Sequence, residues 1–263
     1  METLDIDLTR LGLLYGLCVL PWSLLWLIGA RLTKDIGIGI LRMSVQLGLV
    51  GFYLKMLFDL NNPWLNALWI LVMLLVADLA ILKRSGLKRR YFALSTFTAI
   101  AVSIMLSTAY LVFLVIQPTH FYDARYLIPL AGMILGNCMQ GNVIALERFF
   151  TALRQNQQEY TTFLMLGATR WEAVRPYFRQ AVKAAISPNI ANMATMGLVS
   201  LPGMMTGQIL GGSEPWVAVK YQIAIIICIF ASTTIGTSLN LALSLKIAFN
   251  DFDMLKDGVI RGA

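Results

Sequence analysis

The chain has little charge and almost no histidine. Only 13% of its 263 residues are Asp, Glu, Lys or Arg, and His120 is its one histidine. A single histidine excludes a multi-histidine metal site and argues against a histidine-based triad. His120 reads as a solvated loop residue. No GxxxxGK[ST] is present, so the chain cannot hydrolyse ATP through a P-loop. The three cysteines, Cys18, Cys138 and Cys228, are odd in number and lie in apolar segments, which suits buried structural thiols better than a disulfide framework or a metal site. There is no fixed-period repeat and no low-complexity tract. The scarcity of ionisable groups also weighs against the reading of another class, a membrane-bound lipid-modifying enzyme. Such an enzyme needs carboxylates, histidines or a serine nucleophile clustered at the interface.

What the chain does have is hydrocarbon, at 58% hydrophobic residues, which places it among all-α polytopic membrane proteins. The net charge of +7 does not point to nucleic acid, because the basic residues fall in clusters between apolar segments rather than in one patch. Windows of about 20 apolar residues mark seven spans, near 11–30, 36–58, 64–82, 91–117, 127–146, 184–210 and 218–245. The first follows the acidic leader METLDIDLTR and reads as a retained helix, not a cleaved signal. One alternating set of connections carries Arg31 and Lys34, then Lys83, Arg84, Lys88, Arg89 and Arg90, then Arg148, Arg154, Arg170, Arg175, Arg179 and Lys183, then Lys246, Lys256 and Arg261. These are sixteen of the 21 basic residues, whereas the opposite connections at 59–63, 117–126 and 211–215 hold only Arg125. Basic residues resist translocation, so the N-terminus is expected outside and the C-terminus in the cytoplasm. The chain reads as a single transmembrane domain with one longer cytoplasmic segment, about 147–183, in which Arg175, Arg179 and Lys183 share a helix face.

Polar residues inside spans are costly in hydrocarbon and normally face a bundle interior or a watery cavity. Span two carries Arg42 and Gln46 one turn apart, open to two readings: an interhelical network or a lining of a transport route. Lys55 reads as snorkelling to the interface. Asp78 in span three has Lys83 or Arg84 as expected ion-pair partners. Span five contains AGMILGNCMQGN, in which Gly132 and Gly136 form a GxxxG suited to close helix packing, with Asn137 and Gln140 continuing as a polar stripe. In span six Asn189, Asn192, Met193, Met196 and Ser200 are expected on one face. Methionine at such spacing serves packing more often than ligation. The stretch GLVSLPGMMTGQILGG, 197–212, puts five glycines and a proline in apolar surroundings. Pro202 removes a backbone donor and disfavours helix at Leu201, so a break is expected at Pro202 and Gly203, with Gly203 and Gly207 allowing close backbone approach. Irregular backbone at membrane depth survives only against protein or a watery cavity. Met204, Met205, Thr206 and Gln208 would then offer sulfur and oxygen to a route, the alternative being a packing kink.

The segments IPLAGMILGN (128–137), LGAT (166–169), AISP (185–188), GLVSLPGMMTGQI (197–209) and KYQI (220–223) resemble the FetB-like iron-export permeases of ABC transporters, a family that includes plant aluminium-sensitivity relatives. The resemblance runs from about Ile36 to Lys246. It implies a permease of the inner (plasma) membrane without an ATPase site of its own and with no cofactor in this chain. ATP and Mg²⁺ would sit on a separate ATPase subunit, two copies of which join two copies of the permease among membrane lipid. It implies a metal ion such as iron as cargo, with a nucleotide sugar or other small solute as the alternative that plant members suggest. On the same resemblance EYTTFLMLGATRWEAVRP looks like the coupling loop that rests on the ATPase, with Leu166, Gly167, Ala168 and Thr169 at its turn. Glu159 stands eight residues before Gly167 and the alanines of import permeases are missing, which leaves import unsupported. The expected route residues are Arg42, Gln46, Asn137, Gln140, Met193, Met196, Met204, Met205 and Gln208.

Overall fold

A computed structural model describes residues 7–30, 32–118, 120, 122–256 and 258–259; Arg31 and Arg261, two of the basic residues counted for orientation, lie outside the described residues. Among the described residues the chain forms helices α1 Leu8–Gly16, α2 Val19–Leu27, α3 Thr33–Leu60, α4 Pro63–Arg84, α5 Arg89–Tyr110 with a π-helical continuation Leu111–Ile116, α6 Ala124–Gln155, α7 Gln157–Met165, α8 Arg170–Thr195, α9 Gly203–Leu210 and α10 Pro215–Ala248. Among the described residues six helical stretches are long and apolar enough to cross a bilayer: Thr9–Leu27, α3, α4, α5 with its π-helical continuation, α6 and α10. Residues 184–210, expected as a further span, are divided between α8 and α9. The first half of α8 carries Arg170, Arg175, Arg179 and Lys183, and the eight residues of α9 reach only about 12 Å.

Local chemistry sets the helix starts. Asn62 accepts from the Trp64 N–H and Pro63 takes the first position of α4, where a missing N–H costs nothing. Asp123 accepts from the Arg125 N–H at the start of α6. At that end of the bundle Asn61 accepts from the Ala124 N–H at 2.9 Å and Asn66 donates to the Tyr122 carbonyl at 2.8 Å. At the opposite end Lys88 N–H donates to the Val259 carbonyl at 3.0 Å, and the Tyr160 hydroxyl donates to the Asp253 carbonyl. The α4–α5 turn, the α7–α8 hairpin and the C-terminal loop, which carry most of the basic residues, therefore gather at one end.

The core lies among α4, α5, α6, α8 and α10, where Ile81, Phe92, Ile100, Ile134, Phe149 and Leu241 are fully buried. Lipid is as apolar as these side chains, so helices in a bilayer associate through close packing and hydrogen bonds. The close approaches occur at Gly141, which faces the Thr233 methyl, and at Gly236, where an added Cβ would lie 2.8 Å from Cys138 Sγ and 2.9 Å from Ser103 Oγ. Of the expected GxxxG pair, Gly132 faces Met73 Cε at 3.2 Å and Gly136 faces nothing within 4 Å. That motif therefore packs at one glycine, and the tight contacts belong to α10. The N-terminal helices stand apart: α3 buries only Leu57, which packs on Ala124 and Ile128 at the start of α6, and a Tyr15–Ser44 hydroxyl bond of 2.6 Å joins α1 to α3.

Gly236→Ala is expected to lower stability by roughly 1–3 kcal/mol, because the neighbouring atoms are too close for a methyl. Gly203→Ala, which meets nothing within 4 Å, is expected to stay within about 0.5 kcal/mol. Thermal unfolding of the two proteins in detergent checks both.

Candidate functional site

A polar seam runs through the centre of the bundle between α5, α6 and α10. Asn240 Nδ2 donates to Asn142 Oδ1 at 2.8 Å, and Asn142 Nδ2 donates to the Cys138 carbonyl at 2.8 Å. Thr96 Oγ1 donates to Asn240 Oδ1 at 3.2 Å, and the Cys138 thiol lies 3.6 Å from both Ser103 Oγ and the Ser232 carbonyl. All of these side chains are fully buried. The Thr96–Asn240 bond and the Ser103–Gly236 contact fix an antiparallel register between α5 and α10. One turn further along, Ser107 comes level with Ser232, and there the Ser107, Thr108, Ser232 and Thr233 hydroxyls are buried without a hydrogen-bond partner. The seam is saturated at its middle and unsatisfied beyond it.

The expected polar stripe on α6 lies on the opposite face from this seam. Asn137 and Gln140 are exposed, and Asn137 Nδ2 donates to its own helix at the Met133 carbonyl, whereas Cys138 and Asn142 point inward. Arg42 and Gln46 are exposed on α3, remote from the core. The expected face of span six ends at Met196, because α8 stops at Thr195 and Ser200 turns back to accept from the Gly197 N–H. The break is wider than Pro202 alone: it covers 196–202, with Gly197 at φ +86° and Pro202 preceding α9. Gly203 and Gly207 face nothing within 4 Å, so neither glycine serves a close approach. Met204 packs on the bundle core, Met205 and Met196 are half-buried, and Met193 is exposed. The Gln208 Oε1 is buried without a partner, as is that of Gln222 on α10. Within one protomer these residues line several faces and do not converge.

Asp78 does not pair with Lys83 or Arg84. Its carboxylate faces the bundle with Oδ1 unpartnered, and the two cations are exposed. Five and six residues along a helix amount to rotations of about 140° and 240°, which puts acid and base on different faces.

The structure extends the Asn137–Gln140 stripe: Asn137, Gln140, Ile144, Glu147 and Thr151 recur at alternating intervals of three and four, forming one outward line along α6, of which Ile144, Glu147 and Thr151 were not anticipated from the sequence. At its end a cavity of about 240 Å³ is lined by Ile144, Glu147, Arg148 and Thr151 of α6 with Ala184 of α8. Pro188 has no N–H, so the Ala184 carbonyl lacks its helical donor there. The heptad-like spacing was the available signal. It was obscured because Glu147 looked like the start of a separate segment, whereas α6 continues unbroken to Gln155.

Beyond α6 the chain makes a helical hairpin. Gly167 sits at φ +91°, its N–H donating to the Leu164 carbonyl and the Ala168 N–H to the Phe163 carbonyl, each at 3.0 Å. That is the left-handed turn expected of the LGAT segment, and only glycine adopts it without strain. Thr169 and Glu172 then form a reciprocal capping box that starts α8 and holds the Glu172 carboxyl below the usual range. Inside the hairpin the Tyr177 hydroxyl donates to Glu159 at 3.0 Å; burial, then that hydrogen bond, pushes the phenol up to about 12. Met165 and Leu166 project from the tip at 82% and 79% exposure. Among the described residues no group of three or more His, Cys, Asp or Glu is placed to hold a metal ion.

The sequence pattern of the family described as "Uncharacterised protein family (UPF0014)" matches residues 8–249. The UPF0014 membrane protein slr1647 of Synechocystis sp. is 36% identical over 254 residues, covering 96% of this chain and 97% of that protein. A protein of Escherichia coli strain K12 named "Probable iron export permease protein FetB" is 32% identical over 219 residues, 83% of each chain. Protein ALUMINUM SENSITIVE 3 of Arabidopsis thaliana is 30% identical over 197 residues, 74% of this chain and 70% of that one. No solved structure matches the chain.

The seam makes an asymmetric prediction. Asn142→Leu alone strands the Asn240 amide in the core and should cost about 1–3 kcal/mol, whereas Asn142→Leu with Asn240→Leu removes both partners and should cost less than either single change. A double-mutant cycle on melting in detergent measures the difference.

Proposed function

We propose that this chain, which belongs to the UPF0014 family, is the permease subunit of an ATP-driven transporter that exports a metal ion, with iron as cargo, across the inner (plasma) membrane. Two copies act with two copies of a separate ATPase subunit. The hairpin of α7 and α8 carries this reading. It stands at the basic end of the bundle, which the charge distribution assigns to the cytoplasm, and presents large apolar side chains on a tight, capped turn. Apolar side chains held out on a rigid polar support suit a protein partner. The E. coli relative bearing an iron-export permease name supports the choice of cargo.

The route in this reading lies between two copies. Asn137 and Gln140 face outward from α6 at membrane depth, where lipid cannot satisfy them and a watery cavity can, and Glu147 continues the same line at the cytoplasmic end. Arg42 and Gln46 of α3 join that cavity, and Met193, Met196, Met204, Met205 and Gln208 border it where the chain breaks between α8 and α9. Methionine sulfur and carboxamide oxygen are weak ligands for Fe²⁺, which suits a carrier that must release its cargo. Arg42 has no carboxylate partner among the described residues. A lone cation favours cargo that includes an anionic part, so a metal complex is preferred to a bare ion. The same observation favours a second reading, an anionic solute such as a nucleotide sugar.

Gly167→Val places a β-branched residue at positive φ and should distort the turn while leaving membrane insertion intact. Copurification of the ATPase subunit and iron-stimulated hydrolysis are both expected to fall; wild-type values for both would remove the coupling role. For the route, Met204→Leu with Met205→Leu, Gln208→Leu and Arg42→Gln are expected to reduce ATP-dependent iron flux into inside-out vesicles at normal expression. Flux unchanged in all three proteins would reduce these residues to packing. Flux lost for ferric citrate but retained for Fe²⁺ in Arg42→Gln would identify the complex as cargo.

A further inference from the structure

After α10 the chain folds back on itself in a short, tightly bonded loop. Asn250 Oδ1 accepts from the Phe252 and Met254 N–H groups at 3.0 and 2.9 Å, and the Asn250 N–H donates to the Met254 carbonyl at 2.9 Å. Phe249 and Leu255 form a bridge, and Lys256 returns to the end of α10 through its N–H to Ala248 and its ammonium to the Ile247 carbonyl. Asp253, at the tip, is held at φ +58°, a conformation that aspartate and asparagine adopt more readily than other non-glycine residues.

Three contacts leave this loop for the hairpin. The Arg170 guanidinium donates to and pairs with the Asp253 carboxylate. The same guanidinium lies over the Phe249 ring at 5.6 Å. The Tyr160 hydroxyl donates to the Asp253 carbonyl, and burial, then the Asp253 charge, pushes that phenol up to about 12, so it remains a donor. Arg170 is the first residue of α8, immediately after the capping threonine, and Tyr160 lies in α7. A fourth contact, the Lys88 N–H to the Val259 carbonyl, reaches the start of α5, and Val259 is buried there. The loop is thus covalently part of α10, hydrogen-bonded to α5 and ion-paired to the hairpin, which is itself continuous with α6. Those are the three helices that carry the buried seam.

We infer that Asp253 is a positioning residue for coupling: its ion pair with Arg170 fastens the α7–α8 hairpin to α10, so that displacement of the hairpin by the ATPase subunit moves the seam helices as one unit. A hairpin held only by its own turn and by α6 could tilt independently of α10. With the pair formed, the start of α8 and the end of α10 share one anchor. The inference rests on the coupling role proposed for the hairpin, and on nothing in the route.

The test uses the complete permease–ATPase complex in vesicles, with Fe²⁺ as the probe. Asp253→Asn keeps the side-chain shape and tolerates positive φ, so it removes little besides the charge. Arg170→Gln breaks the pair from the other side, and Arg170→Lys preserves the charge. Copurification of the ATPase and basal hydrolysis are expected to stay at wild-type levels in Asp253→Asn, while iron stimulation falls about fivefold in both Asp253→Asn and Arg170→Gln, the lower end of typical coupling between sites. Arg170→Lys should recover most of it. High salt should weaken stimulation in the wild type, where the pair is partly exposed, and have less effect on Asp253→Asn. Undiminished stimulation in both charge-removing variants would overturn the inference, and so would loss of copurification in Asp253→Asn, which would make the loop a docking surface instead. If Asp253→Asn did not reach the membrane, Arg170→Gln would decide alone. Gly167→Val separates the two ideas: if it is silent the coupling role itself fails, and if it uncouples while the Asp253 and Arg170 variants are silent only the present inference fails.

Discussion

A carboxamide buried among hydrocarbon can meet only part of its hydrogen-bonding need within its own helix, and the Asn142–Asn240 pair is where α6 and α10 supply the rest. The pair fixes the rotation of both helices about their axes. Gly141 and Gly236 stand one position before and four positions before its members, and their missing side chains let the helices approach closely enough for the amides to meet. Thr96, Ser103 and Cys138 then fall into the same plane, and α5 is drawn in by their hydroxyl and thiol contacts. Once α6 is held with Cys138 and Asn142 inward, Asn137, Gln140 and Glu147 must point outward. The contact that builds the core therefore also dictates which face is polar at membrane depth, and it is this face that the transport reading assigns to a cavity between copies.

The N-terminal helices obey a different constraint. α3 touches the bundle at Leu57, beside Ala124 and Ile128 of α6. Counting inward from that contact along two antiparallel helices that rise equally per residue, Gln46 comes roughly level with Asn137, and Arg42 with Gln140. Two polar pairs thus stand at one depth on helices that do not meet there in a single protomer. Neither pair has reason to be at that depth for the sake of the protomer's own packing. On the transport reading, a shared polar environment supplied by a second copy would account for both.

Much of the helical framework was legible in the sequence, because length and apolarity alone decide which segments can span a bilayer. Gly167 and Thr169 were legible for a local reason: a tight turn followed by a capped helix leaves its mark within four residues. Pro202 announced a break, but its extent back to Met196 was not readable, since Gly197 and Ser200 look no different from packing residues in a kinked helix. Helix phase was the main thing hidden. α6 has carboxamides on opposite faces, so Asn137 and Gln140 look as eligible for the interior as Asn142 does. α10 conceals its polar side for a related reason: Ser232, Thr233, Thr237, Asn240 and Ser244 are small or isolated within an apolar stretch, and only contact with α5 and α6 reveals them as one surface. The C-terminal loop was invisible because the Arg170–Asp253 pairing spans 83 positions and carries no periodic signal.

The two ends of the bundle differ in how far their helices stay regular, and that difference bears on how a push from one side would be expressed. At the basic end the α4–α5 turn, the hairpin and the C-terminal loop are cross-linked by backbone bonds and an ion pair. At the other end α5 relaxes into a π-helical turn over Leu111–Ile116, and α8 gives way to non-helical chain at 196–202. The unpartnered hydroxyls of Ser107, Thr108, Ser232 and Thr233 lie on the same side of the Asn142–Asn240 pair as these breaks. A helix such as α10, continuous over 34 residues, transmits displacement along its axis without absorbing it. On the transport reading, motion imposed at the basic end would be taken up where the helices are already interrupted and seam hydroxyls have no partner to lose. In a carrier driven from the cytoplasm, that places the moving parts beside Met204, Met205 and Gln208 and away from the hairpin that drives them.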